Sequence, residues 1–153
     1  MSLNTLPSRQ TMEKLLQCLF GDKVEVRSSA PAPDLSKPYV VASYVDDAGI
    51  VRRILVCELA LANSMGAAMS MIPACVASEA TKEGIIADNI HGNLSEVLNI
   101  CVNLFTDGQV CRLAFSKLRV CSPNDPMPAI TASLKYALNI PRYAGGSLLA
   151  GSV

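Results

Sequence analysis

The chain has no tryptophan, only four tyrosines and three phenylalanines, and a single histidine in 153 residues. So few rings leave no platform on which nucleic-acid bases could stack. One histidine, His91, cannot build a metal cluster alone. Charge is sparse as well: 17% of residues are charged, and 13 Lys plus Arg balance 13 Asp plus Glu. With no net charge and no basic cluster, neither nucleic acid nor an anionic membrane surface is expected as a partner. Nucleophile-elbow, P-loop, dinucleotide-fingerprint and zinc motifs are all missing. The first twelve residues lack a cationic patch followed by an apolar run, so no secretory signal is read and a cytoplasmic location is expected. Residues 54–77 are apolar enough to suggest a membrane span. Glu58, Asn63, Ser64 and Pro73 interrupt them, and a buried strand followed by an alanine-rich helix explains them better.

What the chain does have is apolar residues, half of its composition. That is rich for a soluble monomer, so some apolar surface is expected to be covered by a second copy in a homodimer. The length suits one domain over residues 1–153 with a substantial core. The six cysteines (Cys18, Cys57, Cys75, Cys101, Cys111 and Cys121) form no C-x-x-C pair and mostly lie within apolar patterns. They read as small buried residues in a reducing compartment, and no metal is expected.

Along the chain, Met12, Leu15, Leu16 and Leu19 predict an amphipathic helix over residues 8–19, closed by Gly21. Residues 24–29 alternate as a short strand. Residues 39–45 and 50–56 are β-rich and flank Asp46-Asp47-Ala48-Gly49, a hairpin turn that accounts for the paired aspartates. Residues 58–71 predict a helix whose small residues, Gly66 among them, permit close packing on a neighbour. Pro73 opens a second helix running to about residue 82, with Gly84 as its stop. A long helix is expected over residues 85–105, ending at Thr106-Asp107-Gly108. Strands follow at 110–121, 134–140 and 147–153, with a short helical piece over 128–133. Gly145-Gly146 reads as a tight turn needing positive φ. Three strands on either side of a helical block predict an α+β fold. It would be a two-layer α/β sandwich, with an antiparallel sheet of about six strands and helices on one face.

The best functional lead lies in the long helix. Ile90, Leu94, Val97, Leu98, Cys101, Leu104 and Phe105 follow a helical period and define a buried face. Gly92, Glu96, Asn99 and Asn103 are spaced four, three and four apart and form a polar stripe opposite. Four asparagines (Asn89, Asn93, Asn99 and Asn103) occur here, although asparagine competes for local backbone hydrogen bonds and is not favoured inside helices.

Glu96-Val97-Leu98-Asn99 resembles the E-x-x-N motif of the chemotaxis phosphatase group that includes CheC, CheX and the phosphatase part of FliY. The context is similar too: β-hairpin, small-residue helix, then motif helix. The resemblance implies an α/β sandwich whose motif helix docks on a phosphorylated response-regulator receiver domain. Glu96 would be the docking carboxylate that meets a receiver lysine. Asn99 would orient a water for attack on the aspartyl phosphate. The receiver would bring the magnesium ion, so no cofactor of the chain's own is implied. Two departures mark this chain. Gly92 stands four before Glu96, where the family carries Asp or Ser, and Asp88 lies a full turn further back. There is also one E-x-x-N, where several relatives carry two. These departures suit the alternative function, a non-catalytic adaptor or dimerising module of a chemotaxis or signalling assembly. A third reading, a small-molecule-binding domain, draws only on the turn from Tyr143 to Gly146.

Overall fold

The structure, a computed structural model, describes residues 6–105 and 112–153. In chain order these form α1 (Arg9–Phe20), β1 (Glu25–Ser28), β2 (Tyr39–Val45), β3 (Val51–Glu58), α2 (Leu59–Met69), α3 (Ala74–Glu83) and α4 (Asp88–Ile100). A 3-10 helix (Cys101–Phe105) follows, then β4 (Ala114–Cys121), β5 (Ala132–Asn139) and β6 (Gly146–Ser152).

Local chemistry sets most of these boundaries. Ser8 caps α1, its Oγ accepting from Thr11 N–H at 3.1 Å. In the β2–β3 hairpin, Asp46 Oδ1 accepts from the N–H groups of Ala48 at 2.9 Å and Ile50 at 3.0 Å, and Gly49 takes φ +78. Pro73 precedes α3 and Gly84 ends it in the left-handed region.

The strands form one six-stranded antiparallel sheet in the order β1-β5-β6-β3-β2-β4. Exchanging β1 with β4, β2 with β5 and β3 with β6 returns the same order. The two three-strand groups are thus related by a pseudo-twofold between β3 and β6. By the same exchange α1 and α4, the helices that precede β1 and β4, are counterparts.

Two cores lie on opposite faces of the sheet. The larger packs Val40, Ala42, Leu55, Tyr136, Leu138, Leu148 and Ala150 against the inner faces of the helices. The smaller gathers Tyr39, Val41, Ile54, Val56, Cys121 and Leu149 beneath Leu35, Met127 and Ile130 of two connecting loops. The expected α+β architecture is therefore observed, with the helices on one face of the sheet.

Several expectations are corrected. The helical piece over residues 128–133 does not form. Thr131 N–H donates to the Ser152 carbonyl at 2.8 Å and Ala132 pairs with Ser152, so sheet pairing captures this segment and starts β5 early. The strand expected from residue 110 begins at Ala114, which pairs with Val45, the last residue of β2; residues 110 and 111 lie outside the described residues. Gly145 and Gly146 do not have positive φ; Arg142 does, at +77. Gly145 is needed for room, because a Cβ there would sit 2.5 Å from the Leu138 carbonyl oxygen. Of the cysteines, Cys57, Cys101 and Cys121 are buried, whereas Cys18 on α1 and Cys75 on α3 are exposed. Cys111 lies outside the described residues. No helix among the described residues is long and apolar enough to cross a membrane.

Candidate functional site

α4 is built as the apolar period demands. Ile90, Leu94, Val97 and Leu98 are buried. Asp88 in the first turn places a negative charge at the positive end of the helix. The helix is shorter than expected: α geometry stops at Ile100 and the next five residues are 3-10. A contact from the sheet lies beneath this change. Tyr44, fully buried at a register shift in β2, donates its hydroxyl to the Leu98 carbonyl at 2.6 Å. Burial raises the Tyr44 hydroxyl well above its ordinary pKa, so it stays a donor. Phe105 and Phe115 close around its ring at centroid distances of 5.2 and 5.8 Å. The turn expected at 106–108 lies outside the described residues.

Two more contacts seat α4 near its other end. At Gly66 of α2 an added Cβ would lie 2.4 Å from Ile90 Cγ2 and 2.9 Å from the Ile90 carbonyl oxygen, so the two backbones meet where only glycine fits. One turn on, Asn93 Nδ2 donates to the Gly66 carbonyl at 3.1 Å. Asn93 is thus the inward-facing member of the four asparagines.

The opposite side of α4 is open. Gly92, Glu96 and Asn99 are all exposed, and nothing lies within 4 Å of where a Gly92 Cβ would be. Among the described residues, neither the Glu96 carboxylate nor the Asn99 carboxamide makes a hydrogen bond or an ion pair. Spacing of three residues places them as neighbours on the helix surface. The fourth member of the expected stripe is separated from them: Asn103 lies on the 3-10 helix and returns its Nδ2 to the Ile100 carbonyl at 3.0 Å. The site residues read from the sequence are therefore side by side and uncovered. The residues that seat them, Tyr44 and Asn93, were missed. Asn93 could have been found from its place one position before Leu94 on the apolar face; nothing in the sequence marks Tyr44.

The counterpart helix offers no second site. On α1, Glu13 accepts from Val26 N–H at 3.0 Å and pairs with Arg9 at 3.2 Å. The Val26 hydrogen bond and, after it, Arg9 hold this carboxyl below the usual carboxylate range. The residue three further on is Leu16, fully buried. His91 is exposed in the first turn of α4. Among the described residues, no group of three or more His, Cys, Asp or Glu is placed to hold a metal ion.

No protein-family model matches the chain, and no curated protein matches it. Solved structures do. A chain of the CheX–CheY–BeF3–Mg2+ complex from Borrelia burgdorferi superposes with a TM-score of 0.56 at 12% identity, over 92% of this chain and 90% of that one. Thermotoga maritima FliY gives 0.50 at 12% identity, over 95% and 83%. The FliM middle domain from H. pylori gives 0.50 at 8%, over 94% and 84%. At these identities the likeness establishes a common fold, the one that the E-x-x-N resemblance implies.

Proposed function

We propose that this chain is a CheC/CheX-like domain that binds the phosphorylated receiver domain of a response regulator through the open face of α4 and hydrolyses its aspartyl phosphate. The observation that carries this reading is the uncovered pair Glu96 and Asn99 on a helix seated from below by Gly66, Asn93 and Tyr44. The shared fold supports it, since one structure of that fold is a CheX–CheY complex with BeF3 and Mg2+.

The chemistry asks little of the chain beyond placement. A carboxamide has both a donor and an acceptor, so Asn99 can hold a water in line with the phosphorus. Attack by that water forms one P–O bond and breaks the bond to the receiver aspartate, releasing inorganic phosphate and a free carboxylate. Glu96, as an exposed anion three residues away, meets a cationic group of the receiver and sets the register. The magnesium ion belongs to the receiver and neutralises charge on the phosphoryl group. The domain works in the cytoplasm, where receivers are found, and as a homodimer that covers part of its apolar surface.

A second reading has its own observation. At Gly92 the helix presents bare backbone to open space, where the family carries Asp or Ser. A chain lacking that polar group fits an adaptor that binds the receiver without dephosphorylating it.

One experiment separates the two. Phosphorylated receivers from the same genome are mixed with the protein, and phosphate loss is followed beside direct binding. The phosphatase reading expects accelerated loss that Asn99→Ala abolishes while binding persists. Binding without acceleration establishes the adaptor. No binding to any receiver overturns both. Sedimentation that finds only monomer at micromolar concentration would remove the dimer.

A further inference from the structure

Away from α4, three turns wall a half-open cleft of about 470 Å3, to which α4 contributes no residue. They are the end of α1, the α2–α3 turn and the β5–β6 turn. The volume lies within the roughly 300–1,000 Å3 of small-molecule sites.

The backbone of two of these turns is unusual. α2 closes with the paired hydrogen bonds of a Schellman motif: Ile72 N–H to the Ala67 carbonyl at 2.9 Å and Met71 N–H to the Ala68 carbonyl at 3.3 Å. The residue between, Met71, takes φ +57 at a position where glycine is usual, and its side chain is 79% exposed. In the β5–β6 turn, Arg142 takes φ +77. Among the described residues only three non-glycine residues have positive φ, and two of them line this cleft. Such conformations cost free energy and cluster where ligands are held. The two turns are also locked together, because Tyr143 Oη donates to the Ile72 carbonyl at 2.6 Å.

The lining chemistry is selective. Phe20, Met71, Ile140 and the Tyr143 ring supply apolar surface. Lys23, Arg142 and Asp22 supply charge, and none of the three makes an ion pair or a side-chain hydrogen bond among the described residues. The lining therefore carries one net positive charge.

We infer that this cleft binds a small organic monoanion with an apolar body, its head group facing Lys23 and Arg142 and its body against Phe20, Met71 and Tyr143. The site is independent of Glu96 and Asn99, and it gives a physical role to the turn from Tyr143 to Gly146 that receiver docking leaves unused.

The test uses anilinonaphthalene sulfonate, a fluorescent apolar monoanion, and its neutral relative phenylnaphthylamine. The full chain is expected to bind the anion saturably at one site and the neutral compound at least about tenfold more weakly. Arg142→Asn keeps a residue that tolerates positive φ and removes the charge, and it should weaken the anion by about tenfold. Ala74→Trp, which fills the cleft from the first turn of α3, should abolish binding. Each variant is checked for cooperative melting. If Ala74→Trp does not fold, Arg142→Asn and the neutral compound still decide. Absence of saturable binding, equal affinity of the neutral compound, or unchanged affinity in folded Arg142→Asn or Ala74→Trp would each overturn the inference.

Discussion

Alanine at two glycines of the α2–α4 region should change stability in opposite directions. Gly92 sits inside α4 on its open side. A new Cβ there meets nothing within 4 Å, so the intrinsic helix preference for alanine acts alone. Gly92→Ala should stabilise the protein by about 1 kcal/mol, raising the melting temperature by roughly 2–4 °C for a chain of this size. Gly66 has the same intrinsic preference, but its surroundings reverse the outcome. Its new Cβ would meet Ile90 Cγ2 at 2.4 Å, the Ile90 carbonyl oxygen at 2.9 Å and Leu94 Cβ at 3.2 Å. Isoleucine in a helix has essentially one χ1 rotamer, and a carbonyl cannot step aside, so α2 and α4 must separate. Separation stretches the 3.1 Å hydrogen bond from Asn93 to the Gly66 carbonyl. Overpacking costs about 1–3 kcal/mol and the hydrogen bond about 1, against about 1 gained from propensity. Gly66→Ala should therefore destabilise by about 1–3 kcal/mol. Thermal and urea melts of the two variants beside the parent measure both signs. A Gly66→Ala protein that melts at or above the parent would refute the backbone contact that seats α4. A Gly92→Ala protein that melts below it would refute the open face.

Tyr44→Phe removes the hydroxyl that serves the Leu98 carbonyl and leaves that buried acceptor without its donor, which should cost about 1–3 kcal/mol in urea unfolding. Met71→Gly relieves the left-handed position at the end of α2. It should raise stability by about 0.5–1 kcal/mol while weakening the apolar anion in the cleft, so a destabilised variant would contradict the strain. Burial pushes the Cys57 and Cys101 thiols up to about 12, above the about 8.5 of an unfolded chain. The folded state thus holds these protons more tightly. Their contribution is complete below about pH 8.5 and is lost as pH rises toward 12, so the urea midpoint should fall on going from neutral to strongly alkaline buffer. The same burial predicts that alkylation mapped by peptide mass labels Cys18 and Cys75 while Cys57, Cys101 and Cys121 are protected.

Which features were legible in the sequence follows from how far each cause reaches along the chain. Ser8, Gly21, the Asp46–Gly49 turn, Pro73 and Gly84 act within a few residues, and the elements they bound lie close to where they were read. The end of α4 was misread because both helix types bury the same residues. Cys101, Leu104 and Phe105 are buried in a 3-10 helix as they would be in an α-helix, so the apolar period runs on unbroken. At the break the Leu98 carbonyl accepts from Tyr44, a contact from fifty-four positions away that no local pattern announces. Thr131 and Ala132 were misread for a similar reason, since only pairing with Ser152 makes them sheet. The left-handed position in the β5–β6 turn falls on Arg142, three residues before Gly145, and the Leu138 carbonyl that crowds Gly145 is brought there by sheet pairing, which no local pattern announces.

The exposure of Glu96 and Asn99 was legible because periodicity alone decides which face of an amphipathic helix is wet. Their orientation was not legible, and orientation is what docking chemistry needs. A surface pair on a helix free to roll would lose its alignment with a partner's reacting atoms, whereas supporting contacts beneath it hold the geometry. Here those contacts come from α2 at Gly66, from Asn93 on α4 itself and from β2 at Tyr44, all on the buried side. The pseudo-twofold makes the contrast internal to the molecule. α1 occupies the counterpart position, but its Glu13 is bound to Val26 and Arg9, and Leu16 fills the core where an amide would have to stand. The same architecture thus carries one helix that uses its acid to close the fold and one that leaves its acid and amide free. The proposal of receiver docking through α4 rests on that difference.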